Sequence, residues 1–415
     1  MIETKFSLVK LEDLAIAEKY AIVDGPFGSS LKVKDYIETG IPVLQGQNIT
    51  NNHFKPNGLR FVSEDKASEL SRSKVKVGDI LIVKIGSIGY SAEITDLGPY
   101  PYAIIPANLA KVTINEDIVC KDYLLFWLRS RVVTDYLKQN ASKTAQPALS
   151  LKKIKDIPVV LPNMKTQKAI VEVLNKAQTL MNKRQAQIKS LSDLKQSVFL
   201  DIFGDPVQNN KHFKVDKLPN VLEMPFQNGL YVEKDKYTDA GEGIKMLHMS
   251  DIFNEIADVE KAKQVELTDN EIEKYGIDHN DILIARRSLN YEGAAKPCLI
   301  PETQTSVVFE SSLIRLRANQ NIILPIFLYY YLSNEKVRQN KVYKYITRST
   351  ISGINQKGLS QIDILVPPIS KQLKFVESIS NINRQKHLFE LSLRHLQDNY
   401  QSLMKRAFSG ELFEE

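Results

Sequence analysis

The sequence predicts a mixed α/β fold in which two similar globular domains alternate with two long helices. Three observations support this prediction: the chain repeats itself at an offset of about 205 residues, each repeat contains short β-branched runs among helical segments, and each repeat ends in an unusually long helical stretch. We assign the domains to residues 1–150 and 206–355. The linkers and their long helices are assigned to residues 151–205 and 356–415.

The repeat is clearest where each predicted domain meets its helix. The segment LKKIKDIPVVLP at residues 151–162 aligns with QKGLSQIDILVP at residues 356–367, and the same offset pairs Gln167 with Gln372. Upstream, the offset falls to between 199 and 203 in three shorter echoes: residues 26–27 with 225–226, residues 40–44 with 243–247, and residues 78–82 with 280–284. This drift predicts loops of different length between shared strands.

Each long helical stretch has an apolar seam with a period of 3.5 residues. At positions alternately four and three apart, eight of ten residues from 170 to 202 are apolar, as are nine of ten from 375 to 407. Neither stretch contains Gly or Pro, and roughly 36–39 residues of helix extend about 55 Å. An ordinary amphipathic core helix is the alternative, but its usual length is about 20 residues. The pattern therefore predicts two helices that pair as an antiparallel coiled coil.

Composition and charge describe a globular chain that is mildly basic. The formal net charge is +6, and because each long helical stretch carries +4, the rest of the chain is slightly acidic. A surface for an anionic partner must therefore be local. No apolar run could span a membrane, and the N-terminus lacks the pattern of a secretory signal. Two cysteines, Cys120 and Cys298, and six histidines without metal-binding spacing predict a cytoplasmic protein with no metal site.

Two similar domains on alternating long helices have a natural geometry. If the helices pair antiparallel, a pseudo-two-fold axis relates the domains, and one domain lies near each end of the rod. Paired readers of duplex DNA address half-sites about 34 Å apart, which is one helical turn. A rod of about 55 Å would hold two readers further apart than this and leave unread base pairs between them. The order of elements therefore predicts a ruler whose two ends read different half-sites.

Several short motifs occur in a defined order along the chain. They are PFGS at residues 26–29, LQGQNI at 44–49, GDILI at 78–82, IPVVLP at 157–162 and AFSGEL at 407–412. Together with the half-repeat, they make the chain resemble the specificity subunit of type I restriction-modification enzymes over nearly all of its 415 residues. The first long helix departs from the pattern, because it ends Phe203-Gly204-Asp205 instead of Phe-Ser-Gly.

The resemblance implies a function and a set of partners. The two globular domains would be target-recognition domains that each read one half of a bipartite sequence in double-stranded DNA. The paired helices would set the spacing and dock two methyltransferase subunits that use S-adenosylmethionine to methylate adenine. The resemblance also allows two restriction subunits that use ATP and Mg²⁺. The chain itself would have no catalytic site and would bind no cofactor.

Candidate DNA contacts lie in four groups of polar residues in each domain. Base edges are read by Arg, Lys, Asn and Gln, while phosphates are held by Lys, Arg, Ser and backbone amides. The candidates of the first domain are Ser29, Ser30, Lys32, Gln45, Gln47, Asn48, Lys84, Ser87, Tyr90, Lys143 and Gln146. Those of the second domain are Gln227, Asn228, His248, Ser250, Arg286, Arg287, Asn290, Tyr291 and Arg348. For residues 45–48, a polar turn whose side chains are satisfied internally is an equal alternative.

Two other function classes are weaker interpretations of the same sequence. A methyltransferase or nuclease needs motifs that the chain has only in part: Gly25 replaces a proline in the Asp-Pro-Pro-Phe pattern of adenine methylases, and Leu359 stands where a phosphate loop requires Lys. A coiled-coil adaptor that binds proteins would explain the helices. It gives no reason for two domains that share a framework and differ in their loops.

Overall fold

The computed structural model describes residues 4–26, 30–238, 241–348 and 350–413. The chain forms two compact units: unit 1 comprises Met1–Gln185 with Leu391–Glu415, and unit 2 comprises Ala186–Glu390. The predicted mixed α/β class and the two long helices are confirmed, with α5 at Met164–Phe203 and α10 at Ile369–Ser409. Each unit therefore contains one half of both long helices.

Unit 1 is built on two small four-stranded sheets. Its strands are β1 (Ser7–Lys10), β2 (Ile22–Asp24), β3 (Ile41–Val43), β4 (Ile49–Thr50), β5 (His53–Phe54), β6 (Arg60–Val62), β7 (Lys74–Val75), β8 (Ile80–Val83), β9 (Ser91–Glu93), β10 (Ala103–Ile104), β11 (Leu109–Val112) and β12 (Pro158–Leu161). Its short helices are α1 (Glu64–Glu69), α2 (Lys121–Leu128), α3 (Arg131–Asn140) and α4 (Leu151–Lys155). The sheet orders are β2-β11-β8-β9 and β6-β3-β10-β7, and β1 pairs antiparallel with β12.

Unit 2 repeats this plan. Its strands are β13 (Lys214–Lys217), β14 (Gln227–Asn228), β15 (Tyr237–Thr238), β16 (Ile244–Leu247), β17 (Lys263–Val265), β18 (Asp281–Ala285), β19 (Arg287–Ser288), β20 (Pro297–Leu299), β21 (Val307–Phe309), β22 (Leu313–Arg317), β23 (Ser352–Gly353) and β24 (Asp363–Val366). Its short helices are α6 (Asp269–Tyr275), α7 (Pro325–Ser333), α8 (Glu335–Val337) and α9 (Gln356–Ser360). The sheet β14-β22-β18-β20 matches β2-β11-β8-β9 strand for strand, and β13 pairs with β24 as β1 does with β12.

The long helices are held by aromatic cores in both units. In unit 1, Phe408 near the end of α10 packs edge-on against Trp127 and Tyr123 of α2, with ring centroids 4.8 and 5.5 Å apart. In unit 2, Phe203 at the end of α5 packs against Phe327 of α7 and Phe375 of α10, at 4.7 and 5.3 Å. Each domain therefore packs on the end of one long helix and the beginning of the other.

The predicted seam is the buried face of both long helices. All ten seam positions of α5, and all ten of α10, are buried or half-buried. Within unit 1, residues 178–185 of α5 face residues 393–401 of α10 with opposite chain direction. Both helices end on a glycine with positive φ, Gly204 at +72° and Gly410 at +82°, a conformation that glycine adopts without a steric cost. The departure of the first helix from Phe-Ser-Gly therefore leaves its terminating glycine in place.

A buried glutamine anchors the start of each long helix. The Gln167 carboxamide accepts from the Cys120 N–H at 2.7 Å and donates to the carbonyls of Ile118 and Pro162. Gln372 makes the same three contacts, with the Leu324 N–H at 2.8 Å and two equivalent carbonyls. The two glutamines, which are 205 residues apart, therefore share a structural role as well as a sequence motif.

Replacing Gln372 with Ala should lower the free energy of unfolding of unit 2 by about 2–4 kcal/mol. Gln372 is fully buried, so the substitution leaves the half-buried Leu324 N–H and two carbonyls without their partner, and each unsatisfied group costs about 1–3 kcal/mol. Hydrogen exchange of the amides in α7 and α10 measures the loss. The control is Gln385→Ala, an exposed residue of α10 in the same unit, for which we expect a change below about 0.5 kcal/mol.

Candidate nucleic-acid interface

Two of the predicted groups of DNA contacts lie next to each other in each unit. In unit 1, the loop after β8 accepts a hydrogen bond at the Lys84 carbonyl from the Leu149 N–H, 2.9 Å away. In unit 2, the Arg286 carbonyl after β18 accepts from the Ile354 N–H at 3.0 Å. The segments that carry Lys143 with Gln146 and Arg348 precede these donors, so strand-end loop and helix-approach segment form one surface in each unit.

The polar turns at residues 45–48 and 248–251 join the same surface. Each follows a strand with a parallel neighbour, β3 in unit 1 and β16 in unit 2. In unit 1, the Lys84 N–H donates to the Asn108 carbonyl, and the Asn108 side chain lies against Gly46 in the turn. In unit 2, Glu310 accepts from the Met249 N–H at 3.0 Å, while the nearby Ser312 carbonyl accepts from the Arg286 N–H. Three of the four predicted groups in each domain are therefore brought together by backbone hydrogen bonds and side-chain contacts.

Within that turn, Asn48 has a structural role. Only 1% of Asn48 is exposed, its carboxamide oxygen accepts from the Gln45 N–H at 2.7 Å, and its two amide hydrogens go to the carbonyls of Lys55 and Asn57. Asp251 closes the equivalent turn of unit 2 by accepting from the His248 N–H. The polar-turn alternative therefore describes Asn48, whose hydrogen-bonding capacity is used inside the loop.

Lys84 is also occupied by partners within its own unit. Its side chain is 9% exposed, and its ammonium group lies 2.6 Å from the Asp24 carboxylate, which also meets Arg72 at 3.2 Å. Because this ammonium group is buried and paired with a carboxylate, it is not available to bind a phosphate. The cluster instead ties the end of β2 to the end of β8. The exposed Arg72 keeps part of its guanidinium at the surface.

The sequence alignment of residues 225–226 with residues 26–27 needs a correction, together with the candidate contacts that follow each pair. Gln227 and Asn228 form strand β14 instead of the predicted loop, and the Gln227 side chain is hydrogen-bonded to Arg315 and to the Lys274 carbonyl. Burial lowers the pKa of Arg315, so this contact holds a partly desolvated guanidinium. The two Pro-Phe pairs are consequently not equivalent positions in the fold.

Two glycines show the true correspondence between the units. Gly25 and Gly229 both press against a strand-end backbone, where an added Cβ would lie 2.2 Å from the Pro106 or Glu310 carbonyl oxygen. The loop that follows Gly25 in unit 1 therefore corresponds to the segment after Gly229. That segment carries Tyr231, 77% exposed, which the sequence analysis missed. Gly25 lies 55 residues before Ile80 and Gly229 lies 53 residues before Ile282, and aligning these two glycines instead of the Pro-Phe pairs would have found it.

The loop after the central strand differs in length between the units. In unit 1, Gly89 with φ of +88° returns to β8 after five residues, 84–88. In unit 2, Ala295 with φ of +58° makes the same return after nine residues, 286–294. Tyr90 and Tyr291, which the sequence pairs, therefore occupy different places. The longer loop forms strand β19, which pairs with β23.

A family model described as the type I restriction modification DNA specificity domain matches residues 5–190 and 210–391. The chain belongs to this family. A Methanocaldococcus jannaschii protein named as the type I restriction enzyme MjaX specificity subunit is 22% identical over 83% of this chain and 82% of its own length. The StySPI specificity subunit of Salmonella potsdam is 22% identical over 90% of this chain and 82% of its own.

A solved structure supports the fold. A chain from a study of complex assembly and conformational transition of the type I R-M system superposes with a TM-score of 0.57 at 14% identity, covering 98% of both chains. As a DNA specificity subunit, the protein supplies sequence recognition and is not itself the enzyme of its system. The described part of the chain has no group of three or more His, Cys, Asp or Glu side chains placed to bind a metal ion.

The specificity domains expose about half of the predicted DNA contacts. The exposed ones among the described residues are Ser30, Lys32, Gln47, Ser87, Lys143, Gln146, Ser250, Arg287, Asn290 and Arg348, and the half-buried ones are Gln45, Tyr90, Gln227, Asn228, His248, Arg286 and Tyr291. Ser29 lies outside the described residues. His248 is held by the Tyr237 hydroxyl, 2.9 Å from its Nε2. None of the helices in the described ranges combines the length and apolarity needed to cross a bilayer.

Proposed function

We propose that this specificity subunit reads a bipartite sequence in double-stranded DNA, with one domain for each half-site. The observation that carries this proposal is the relation between the two units. Their central sheets match strand for strand, whereas the loop after the central strand has five residues in one unit and nine in the other. A shared framework with different recognition loops suits a ligand whose two halves have different sequences.

The long helices are proposed to set the spacing and to dock the partners. Two methyltransferase subunits would bind the chain and methylate adenine in each half-site with S-adenosylmethionine. Two restriction subunits would add cleavage that consumes ATP with Mg²⁺. The candidate DNA contacts remain the exposed residues named above, with Lys84 and Asn48 as supports of the loops. A cytoplasmic location follows from the cellular DNA that such a complex must reach.

Methylation sequencing tests the proposed function directly. Adenine methylation is mapped by single-molecule sequencing in cells that express this chain with the methyltransferase subunit from its own genome. We expect one motif with two specific halves and a fixed unread gap, and no such motif when the methyltransferase subunit is expressed alone. If both proteins associate and no motif is found, the adaptor interpretation is correct and the DNA-reading proposal is wrong.

A further inference from the structure

The longer loop of unit 2 forms a two-stranded ribbon with an apolar tip. Strand β19 pairs antiparallel with β23, where Arg287 faces Gly353 and Ser288 faces Ser352. Continuing this register by one pair places Leu289 opposite Ile351. Leu289 is 83% exposed and Ile351 50% exposed. A pair of neighbouring apolar side chains at the end of a ribbon costs solubility, so its exposure suggests a ligand.

The surroundings of this tip are basic and amide-bearing. Arg287 lies in β19 and Arg348 lies three residues before Ile351; both are exposed, and the Arg348 guanidinium lies 4.4 Å from the ring centroid of Tyr291. Asn290, next to the tip, is exposed as well. The loop's one carboxylate, Glu292, lies on the return arm, where its backbone carbonyl accepts from Arg338 at 2.7 Å. An apolar tip framed by guanidinium groups fits the floor of a DNA groove with phosphates on both sides.

Among its described residues, unit 1 has no equivalent tip. Its five-residue loop turns back at Gly89, and the apolar Ile88 of that loop packs against the domain core. The segment opposite, residues 143–147, is exposed and carries Lys, Thr, Ala, Gln and Pro. A partner protein that binds both halves alike would need a surface that recurs in both units. A surface present in one unit suits a ligand that differs between the halves, as two DNA half-sites do.

We propose that the Leu289–Ile351 tip enters the major groove of the half-site read by unit 2 and contacts the C5-methyl group of a thymine. The major groove admits a two-stranded ribbon, and the thymine methyl is the apolar group that base edges present there. Arg287 and Arg348 contact the flanking phosphates or guanines on either side. This inference rests on the proposed function and assigns a base-reading role to two residues that the sequence patterns did not single out.

Deoxyuridine substitution tests the contact, because it removes only the methyl group. The complex of this chain with its methyltransferase subunit is titrated with duplexes of the sequenced motif in which each dT of the second half-site is replaced in turn by dU. Burial of one methyl group changes affinity about fourfold. We expect the wild-type complex to bind about fourfold more weakly at one position. Leu289→Ala should weaken binding of the dT duplex and abolish its difference from the dU duplex.

Matched variants separate the contact from other effects. Leu289→Met keeps an apolar side chain and should keep the sensitivity to dU, whereas Val33→Ala, an equally exposed apolar residue of unit 1, should leave it unchanged. If dU at every tested position of the second half-site leaves the wild-type affinity unchanged, the inference is wrong. The proposed function stands in that case as long as binding remains sequence-specific. Sensitivity to dU that persists in Leu289→Ala also overturns it. Absence of any sequence-specific binding overturns the proposed function itself.

Discussion

Replacing Glu255 with Ala is expected to lower the free energy of unfolding of unit 2 by about 3 kcal/mol. Lys195 of α5 is 6% exposed, and its ammonium group lies 2.7 Å from one Glu255 carboxylate oxygen. The other oxygen accepts from the Tyr330 hydroxyl of α7, also at 2.7 Å. Burial, together with this carboxylate, raises the pKa of Tyr330. The substitution leaves the buried Lys195 ammonium and the half-buried Tyr330 hydroxyl without the carboxylate, and breaking a buried pair typically costs about 3–5 kcal/mol.

Hydrogen exchange of the α5 and α7 amides in the assembled complex measures this loss locally. The matched control is Glu172→Ala, which removes the carboxylate of an exposed pair with Lys176 on the same helix and should cost less than about 0.5 kcal/mol. The double variant Lys195→Met with Glu255→Gln should recover most of the loss. It buries no charge, and the glutamine oxygen still accepts from Tyr330. Equal losses for Glu172→Ala and Glu255→Ala would show that the buried network stabilises unit 2 no more than an exposed ion pair does.

In unit 1, the positions that correspond to Lys195 and Glu255 hold different residues. Tyr400 stands at the repeat position of Lys195, and Asn52 stands where unit 2 has Glu255. Arg129 donates to the carbonyls of Asn52 and Ser91 at 2.9 and 3.2 Å, and burial lowers the pKa of Arg129. At this place unit 1 therefore has an arginine bonded to backbone carbonyls, where unit 2 has the Lys195–Glu255 pair.

The long helices could be predicted from sequence because their signal is local and repeated. A period of 3.5 residues over ten seam positions identifies the buried face without knowledge of any partner. Lys195 counted against the seam in that pattern, although it is buried on that face with Glu255. The pairing of β1 with β12, about 150 residues apart, has no local signal, because strands of two to five residues carry too few positions to specify a partner.

The candidate site could be predicted only in outline. Polar residues at strand ends indicated which loops to consider, since a strand end leads directly into a surface loop, but the sequence did not show that these loops lie together. Their individual roles depend on partners that the sequence does not show. Lys84 pairs with Asp24 sixty residues away, and the Asn48 amide donates to the carbonyls of Lys55 and Asn57. The echo of two Pro-Phe pairs was misleading. The backbone places Gly229, a few residues further on, at the position of Gly25.

Exchanging residues 1–150 for the corresponding domain of a relative should change one half of the recognised motif and leave the other half intact. Each wrong base pair costs about 1–3 kcal/mol of binding free energy, so two of them lower affinity for the old half-site about 30-fold or more. The second half and its loop at residues 286–294 are unaltered by the exchange. Methylation sequencing reports both halves and the gap in one experiment.

The structure also indicates how the exchange must be made. Phe408 packs on Tyr123 and Trp127, and its carbonyl accepts from the Thr4 hydroxyl at 2.8 Å. A foreign domain that lacks matching residues would lose this core, so residues 391–415 should be exchanged together with 1–150 in a second chimera. We expect both chimeras to yield the same new half-site, with higher occupancy in the second. A change in both halves of the motif would mean that the domains do not read DNA independently, because unit 2 is identical in every variant up to residue 390.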